Sequence, residues 1–336
     1  MKLSILDQSP VQVEQSQAEA LRNTVLLAED AEKSGYHRFW VSEHHNEAFF
    51  AGSSPEMLAS YLAARTSTIH IGTGGVMLPH YSPYTVAENF RILEALEPGR
   101  IDVGIGRAAG GRPASSRAIH YGHSTGGTES YPDKVKDLHH FLYDDLPDDH
   151  WLSGVSANPL TASAPEVFHL ATSINGAKFA AENGLSFVYA HFITPKDGPD
   201  AVRHYRDHFK PDKKQQQPRV IVAVFAAAAE TEEEAEKIAS VHDLSLLYMA
   251  NEKKISGFPT FDMARNHQPV GLEDQIIERN RKRMIIGTPD KVALKLKELQ
   301  ETYQADEIML VSLETDIDQK RKSYRLIAEE IGLSNR

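Results

Sequence analysis

Four short stretches of this 336-residue sequence hold residue types whose spacing suits binding and chemistry better than packing. Glu43-His44-His45 follows the apolar run Arg38-Phe39-Trp40-Val41, and Gly74-Gly75 interrupts another. Gly104-Ile105-Gly106 ends on Arg107, and Ala171-Thr172-Ser173-Ile174-Asn175 leads into Gly176. An imidazole such as that of His44 has a proton affinity near working pH, which suits it to donate a hydrogen bond or handle a proton. Ser173 with the backbone amides around Asn175 and Gly176 makes a helix-start site of the kind that attracts phosphate. Arg107 can add a bidentate charge-assisted contact to the same anion. Gly74 and Gly75 remove side chains where a flat ring could lie against the backbone.

Each stretch also has a purely structural reading. Thr172 to Asn175 can simply cap a helix. The glycines can mark a bulge or a tight corner. Arg107 can pair with Asp102 or Glu43. Adjacent residues of an extended segment point to opposite sides, so His44 and His45 are poor co-ligands for one metal, and one of them serves structure. No histidine pair stands near Asp7-Gln8-Ser9, as a metal-dependent barrel hydrolase would need, and no metal is expected.

The elements that must position these groups alternate strand and helix. Strands are expected at Leu3–Leu6, Arg38–Val41, His70–Val76, Ile101–Ile105, Glu166–Ala171, Phe187–Ala190, Arg219–Ala226 and Glu307–Val311. Helices are expected at Ala18–Ser34, Pro55–Thr66, Pro83–Leu96, Tyr131–Tyr143, Gly176–Asn183, Asp197–Phe209, Thr231–Ala250, Pro289–Tyr303 and Ile317–Ile331. Eight apolar strands separated by helices imply parallel pairing and a closed (β/α)8, TIM-like barrel of class α/β, one domain over residues 1–336. No Gly-x-Gly-x-x-Gly opens a helix after the first strand, which argues against an open dinucleotide-binding sheet. Asn251 to Ile285 breaks the alternation as a long insertion before the last βα unit. It reads as a mobile active-site flap with helix near Glu273 to Arg283.

Barrel chemistry gathers at the C-terminal strand ends. Those ends deliver the stretches above together with Gln8, His80, Tyr81, His191 and Phe192. This set suits a pocket for a partly apolar guest with one or two polar handles. Net charge is -11 and the basic residues form no stripe, so nucleic-acid binding is not expected. The absence of cysteine excludes disulfides, thiolate metal sites and a cysteine nucleophile. No apolar run reaches the ~18–20 residues that cross a bilayer. The N-terminal run meets Asp7 too soon for a signal segment, and a cytoplasmic address is expected.

Taken together, these stretches resemble the bacterial-luciferase-like flavin-dependent monooxygenases, in their non-luminescent branch. The resemblance rests on Glu43-His44-His45, on Ile71-Gly72-Thr73-Gly74-Gly75-Val76-Met77-Leu78-Pro79, and on Gly104-Ile105-Gly106-Arg107. It extends through Leu93-Glu94-Ala95-Leu96, Pro98-Gly99-Arg100-Ile101, Ala171-Thr172-Ser173 with Gly176-Ala177, and Ile286-Gly287-Thr288-Pro289. In this order the pieces are specific, and they run from Leu3 to Ile331.

The resemblance implies a TIM-like barrel, dimeric through its second and third helices, that binds reduced FMN delivered by a separate flavin reductase. It implies that dioxygen adds to the flavin and that the resulting flavin hydroperoxide oxidises a small organic substrate. His44 is then the base or hydrogen-bond donor beside that group. Arg107, Ala171, Thr172, Ser173 and Gly176 hold the phosphate end. Gly74-Gly75 falls where family members carry a non-proline cis peptide under the flavin ring. Gly106 stands where the light-emitting subunit has a reactive cysteine, and Thr172 where it has an acidic residue, which argues against light emission. Two other readings are a deazaflavin-dependent hydride-transfer enzyme on a related barrel and a non-catalytic flavin-binding protein.

Overall fold

The computed structural model describes residues 1–121, 130–211, 214–250 and 256–333. Its strands are β1 (Lys2–Asp7), β2 (Arg38–Val41), β3 (His70–Thr73), β4 (Val76–Met77), β5 (Ile101–Gly106), β6 (Glu166–Ala171), β7 (Ser186–Ala190), β8 (Val220–Ala228), β9 (Met284–Gly287) and β10 (Glu307–Val311). All neighbouring strands pair in parallel, and β10 pairs with both β1 and β8. The ring is therefore closed: a (β/α)8 TIM barrel in which β3 and β4 together make one stave, with a long insertion before the last βα unit. Strand β9 stands outside the ring, beside the end of β8 from Phe225 to Ala228.

The helices are α1 (Gln17–Lys33), α2 (Pro55–Ala63), α3 (Pro83–Leu96), α4 (Pro113–Ile119), α5 (Tyr131–Tyr143), α6 (Ile174–Glu182), α7 (Gly198–His208), α8 (Glu232–Ala250), α9 (Phe261–Asn266), α10 (Glu273–Arg281), α11 (Pro289–Tyr303) and α12 (Ile317–Ile331). Their starts carry the expected signals: Ser16 and Glu19 form a capping box on α1, and proline sits in the first turn of α2, α3 and α11. No helix among the described residues is long and apolar enough to cross a membrane.

Alternation along the strands builds two apolar layers. Phe39, Val41, Ile71 and Val103 face the helices, where they meet Leu27, Leu62 and Phe90. Trp40, Phe168, Ile221, Ala223 and Met309 fill the barrel. At the strand N-termini the interior is ionic. The Arg38 guanidinium donates to Asp102 Oδ2 at 2.7 Å and to Glu307 Oε1 at 2.8 Å, and the three side chains are at most 2% exposed. Trp40 Nε1 also donates to Asp102, and the Ser4 hydroxyl to Glu307. The floor is thus closed by charge and aromatic rings, and the opposite end carries the opening.

One expectation about the elements is corrected. The strand read as His70–Val76 stops at Thr73 and resumes at Val76, because the Gly74-Gly75 peptide is cis. A Cβ on Gly75 would lie 2.7 Å from Gly104 O, so only glycine lets these two staves approach here. The insertion read as a flap over Asn251 to Ile285 contains α9, α10 and the start of β9, while 251–255 lie outside the described residues. Short helix α4 was not foreseen.

Candidate functional site

A cavity of about 740 Å³ opens at the C-terminal end of the barrel. His44, Gly74, Gly75, Arg107, Ala171, Thr172, Ser173 and Gly176 all border it. One wall is the turn after β2. There the His44 amide donates to Gly52 O at 2.8 Å, and its ring stacks on Phe50 with centroids 4.3 Å apart. Ser42 Oγ lies 3.0 Å from His44 Nδ1. Burial, with a smaller push from His45, lowers the His44 pKa to about 4. The near-neutral proton affinity expected of this residue is thereby corrected: at pH 7 the imidazole is uncharged.

The side chains of Glu43 and His45 are committed to contacts within the protein. His45 Nε2 meets Glu43 Oε1 at 2.7 Å, and the fully buried Glu43 also accepts from the Met77 amide and the Tyr81 hydroxyl, both at 2.8 Å. Glu43 therefore ties the β2 turn to β4 and to the turn that follows it. Tyr81 is spent on this contact and does not border the cavity. Neither do two other residues expected in the pocket wall. His80 Nε2 bonds Ala109 O at 2.7 Å, and His191 Nδ1 bonds the Tyr303 hydroxyl at 2.8 Å. Gln8 and Phe192 do border it.

The opposite wall belongs to the ends of β5 and β6. Arg107 is exposed and makes no hydrogen bond or ion pair with a described residue. Its two candidate partners are engaged elsewhere, Asp102 with Arg38 and Glu43 with His45 and Tyr81. Ser173 caps α6, its Oγ accepting from the Gly176 amide at 3.3 Å. The capping reading and the anion-site reading therefore meet in one residue: the hydroxyl and the first-turn amides face the same cavity as the free guanidinium.

Helix α6 can begin there only because residue 176 lacks a side chain. A Cβ at Gly176 would lie 2.2 Å from the Ala171 Cβ. Gly176→Ala is expected to push α6 off β6, weaken binding of a phosphate ligand more than tenfold, and destabilise the fold by ~1–3 kcal/mol, as overpacking does. Titration with the ligand and urea unfolding measure both; an unchanged affinity would detach the helix start from the site.

Several lining residues carried no signal in the sequence. His169, Tyr131 and Phe179 form an aromatic group behind Ala171, with Tyr131 Oη 3.1 Å from His169 Nδ1. They come from β6, α5 and α6, and only the fold unites them. Burial lowers the His169 pKa to about 4, so this group is neutral as well. The inner end of the cavity is apolar, lined by Leu6, Val188, Ala223 and Met309. Among the described residues no set of three or more His, Asp or Glu is placed to hold a metal ion.

Comparison with known proteins gives concordant results. The sequence profile of a family described as luciferase-like monooxygenases matches residues 1–305. The uncharacterized protein YwcH of Bacillus subtilis (strain 168) is 45% identical over 98% of this chain and 98% of its own. N-acetyl-S-alkylcysteine monooxygenase of the same organism is 37% identical over the full length of both. The crystal structure of apo-MsnO8 superposes with a TM-score of 0.90 at 35% identity, covering 100% of this chain and 99% of that one. Two structures below 25% identity share the fold alone. They are the oxygenating constituent of 3,6-diketocamphane monooxygenase from Pseudomonas putida in complex with FMN, with TM-score 0.70, and an F420-dependent secondary alcohol dehydrogenase, with TM-score 0.65.

Proposed function

The chain belongs to the luciferase-like monooxygenase family and is a flavin-dependent monooxygenase, and from that premise we propose that its flavin is reduced FMN and its substrate a small, largely apolar organic molecule. One observation carries the reading: the unpaired Arg107, the Ser173–Gly176 helix start and the Gly74-Gly75 floor border a single cavity whose inner end is apolar. A phosphate fits the first two, and a planar ring fits between the glycines and the aliphatic wall. Reduced FMN, when bound there, would supply the electrons that activate dioxygen.

The chain's own residues do the rest. Arg107, Ser173 and the Gly176 amide hold the phosphate end and set the register of the ring. The glycine pair keeps side chains out of the ring's plane. His44, neutral and stacked on Phe50, presents a hydrogen-bonding nitrogen to the reaction space. The aliphatic wall excludes water from it. Gln8 is 9% exposed and its side-chain amide has no partner among the described residues, so it offers one neutral polar handle to a guest. A relative named for N-acetyl-S-alkylcysteine acts on a molecule with a thioether, an amide and a carboxylate, and its alkyl thioether end agrees with such a wall.

A flavin reductase would deliver the reduced FMN in a transient encounter; one structural neighbour is described as the oxygenating constituent of its enzyme, which supports electrons arriving from another protein. A homodimer is supported by Met57 and Tyr61 on α2 and Ile92 and Leu96 on α3, apolar residues 73%, 58%, 48% and 70% exposed.

The second reading, a deazaflavin-dependent hydride transfer, is favoured by the F420 enzyme that shares the fold. Anaerobic titration separates the two. FMN is expected to bind and F420 to bind at least tenfold more weakly; the reverse order would overturn the FMN proposal. With FMN, a reductase and NADH, labelled dioxygen should enter a product, whereas a carrier protein would consume none. Arg107→Ala should weaken FMN by the ~1.5–3 kcal/mol typical of a hydrogen bond to a charged group, roughly tenfold to a hundredfold. A change under twofold would place the phosphate elsewhere.

A further inference from the structure

We propose that Ser42 is a positioning residue: its hydroxyl donates to Nδ1 of His44 and so holds the imidazole proton on Nε2, where it faces the cavity. The catalytic meaning of this arrangement rests on the flavin reading above; the arrangement itself does not.

Ser42 is the first residue beyond β2, it is 4% exposed, and among the described residues its hydroxyl has one partner, His44 Nδ1, at 3.0 Å. Two arrangements share that distance. If the ring donates from Nδ1, the serine proton has no acceptor among the described residues and Nε2 presents a lone pair to the cavity. If serine donates, its proton is used, Nδ1 is used as acceptor, and only serine lone pairs go spare. Buried donors without acceptors are the rarer and costlier fault, so the second arrangement prevails.

Turning the ring over costs it this contact. Its backbone amide donates to Gly52 O and its face stacks on Phe50 at an interplanar angle of 23°; a half-turn about χ2 would keep both but set Cδ2 beside Ser42 Oγ and lose the 3.0 Å contact to Nδ1. Phe50 is itself backed by Phe258, at 5.3 Å, whose amide donates to Val11 O. Nε2 has no partner among the described residues and is not sealed from solvent, and His44 borders the cavity, so this nitrogen opens on it.

The charge state makes the tautomer matter. A cationic imidazole would present a proton from both nitrogens, but burial keeps His44 neutral. A neutral ring is either a donor or an acceptor at Nε2, never both. With the proton on Nε2 it can hold an oxygen atom in the reaction space; with the proton on Nδ1 it repels the same atom's lone pairs. The next residue shows the contrast. His45 places Nε2 against Glu43, so its ring is committed to the protein and not to the cavity.

The test needs no flavin. Long-range proton–nitrogen correlation spectra of the unloaded protein at pH 7.5 distinguish the two tautomers by their ring nitrogen shifts. The His44 ring is identified by its disappearance in His44→Gln. The wild type is expected to show one tautomer, protonated on Nε2. Ser42→Ala should move both nitrogens toward averaged values, and Ser42→Thr, which keeps the hydroxyl, should restore them. A wild-type ring protonated on Nδ1 overturns the inference, and so do shifts unmoved in Ser42→Ala. In turnover, Ser42→Ala should lower product formed per dioxygen roughly tenfold, the scale seen when an orienting partner is lost, with recovery in Ser42→Thr. If the spectra behave as expected while His44→Gln oxygenates normally, the flavin reading of His44 fails and the Ser42 assignment stands.

Discussion

Replacing His44 by alanine is expected to leave FMN affinity within about twofold while cutting product formation roughly a hundredfold or more, with the consumed dioxygen recovered as free hydrogen peroxide. The magnitude is that of losing a positioned proton-handling or hydrogen-bonding group. The direction follows from position: His44 sits on the β2 turn, while the phosphate end is built from Arg107 and the start of α6. The pH dependence has a definite sign. Because the folded-state pKa is lowered to about 4, the imidazole stays neutral from pH 8 down through its ordinary titration range and charges only as pH nears 4. Coupling in the wild type should therefore show no His44-dependent step near pH 6.5, and a loss should appear only in more acidic solution. Peroxide and product measured together across pH, in wild type and in His44→Gln, decide this. Equal coupling in both proteins would remove His44 from the chemistry, and a step near 6.5 absent from the variant would show that burial does not control it.

The strands were legible as short apolar runs, several of them closed by Gly, Asp or Ser, and the helices because caps and prolines mark their starts. Glu166–Ala171, Tyr131–Tyr143 and Glu307–Val311 have the bounds that pattern alone gives. Where the pattern was silent, packing decides. Helix α4 has one buried residue, Ser115, and no apolar stripe for a sequence reading to find. Strand β9 is four residues following a charged helix, and it exists because β8 runs on to Ala228, past the last residue that β7 pairs. The same division holds at the site. The rule that barrels present chemistry at strand ends found His44, Arg107 and Ser173. It also enlisted His80, Tyr81 and His191, because it cannot tell a side chain aimed at the cavity from one held by Ala109, Glu43 or Tyr303. His169 and Tyr131 were invisible for the converse reason: they reach the cavity from between strand and helix, where sequence position says nothing.

Arg38→Met is expected to lower stability by ~3–5 kcal/mol at pH 7, the largest effect foreseen for any residue away from the mouth. Asp102 and Glu307, each 2% exposed, face the same guanidinium from different staves, and methionine would leave two carboxylates buried without a cation. Burial by itself raises the Asp102 pKa, but Arg38, followed by His70 and Trp40, more than offsets it, and the net shift is downward. That fixes the sign of the linkage. In the wild type Asp102 stabilises the fold above its unfolded pKa and ceases to do so as pH falls through the lower folded value. In the variant the largest part of the offset is gone, the folded pKa rises, and protonation relieves the buried charge. The deficit of Arg38→Met should thus shrink between pH 7 and pH 5. Adding Asp102→Asn and Glu307→Gln should recover most of it at pH 7, because a neutral polar floor carries no uncompensated charge. Urea unfolding of the single and triple variants at both pH values measures each step. A deficit equal at the two pH values, or a triple variant no better than the single one, would mean that the floor is held by the Trp40 and Phe168 rings packed against the guanidinium and not by charge.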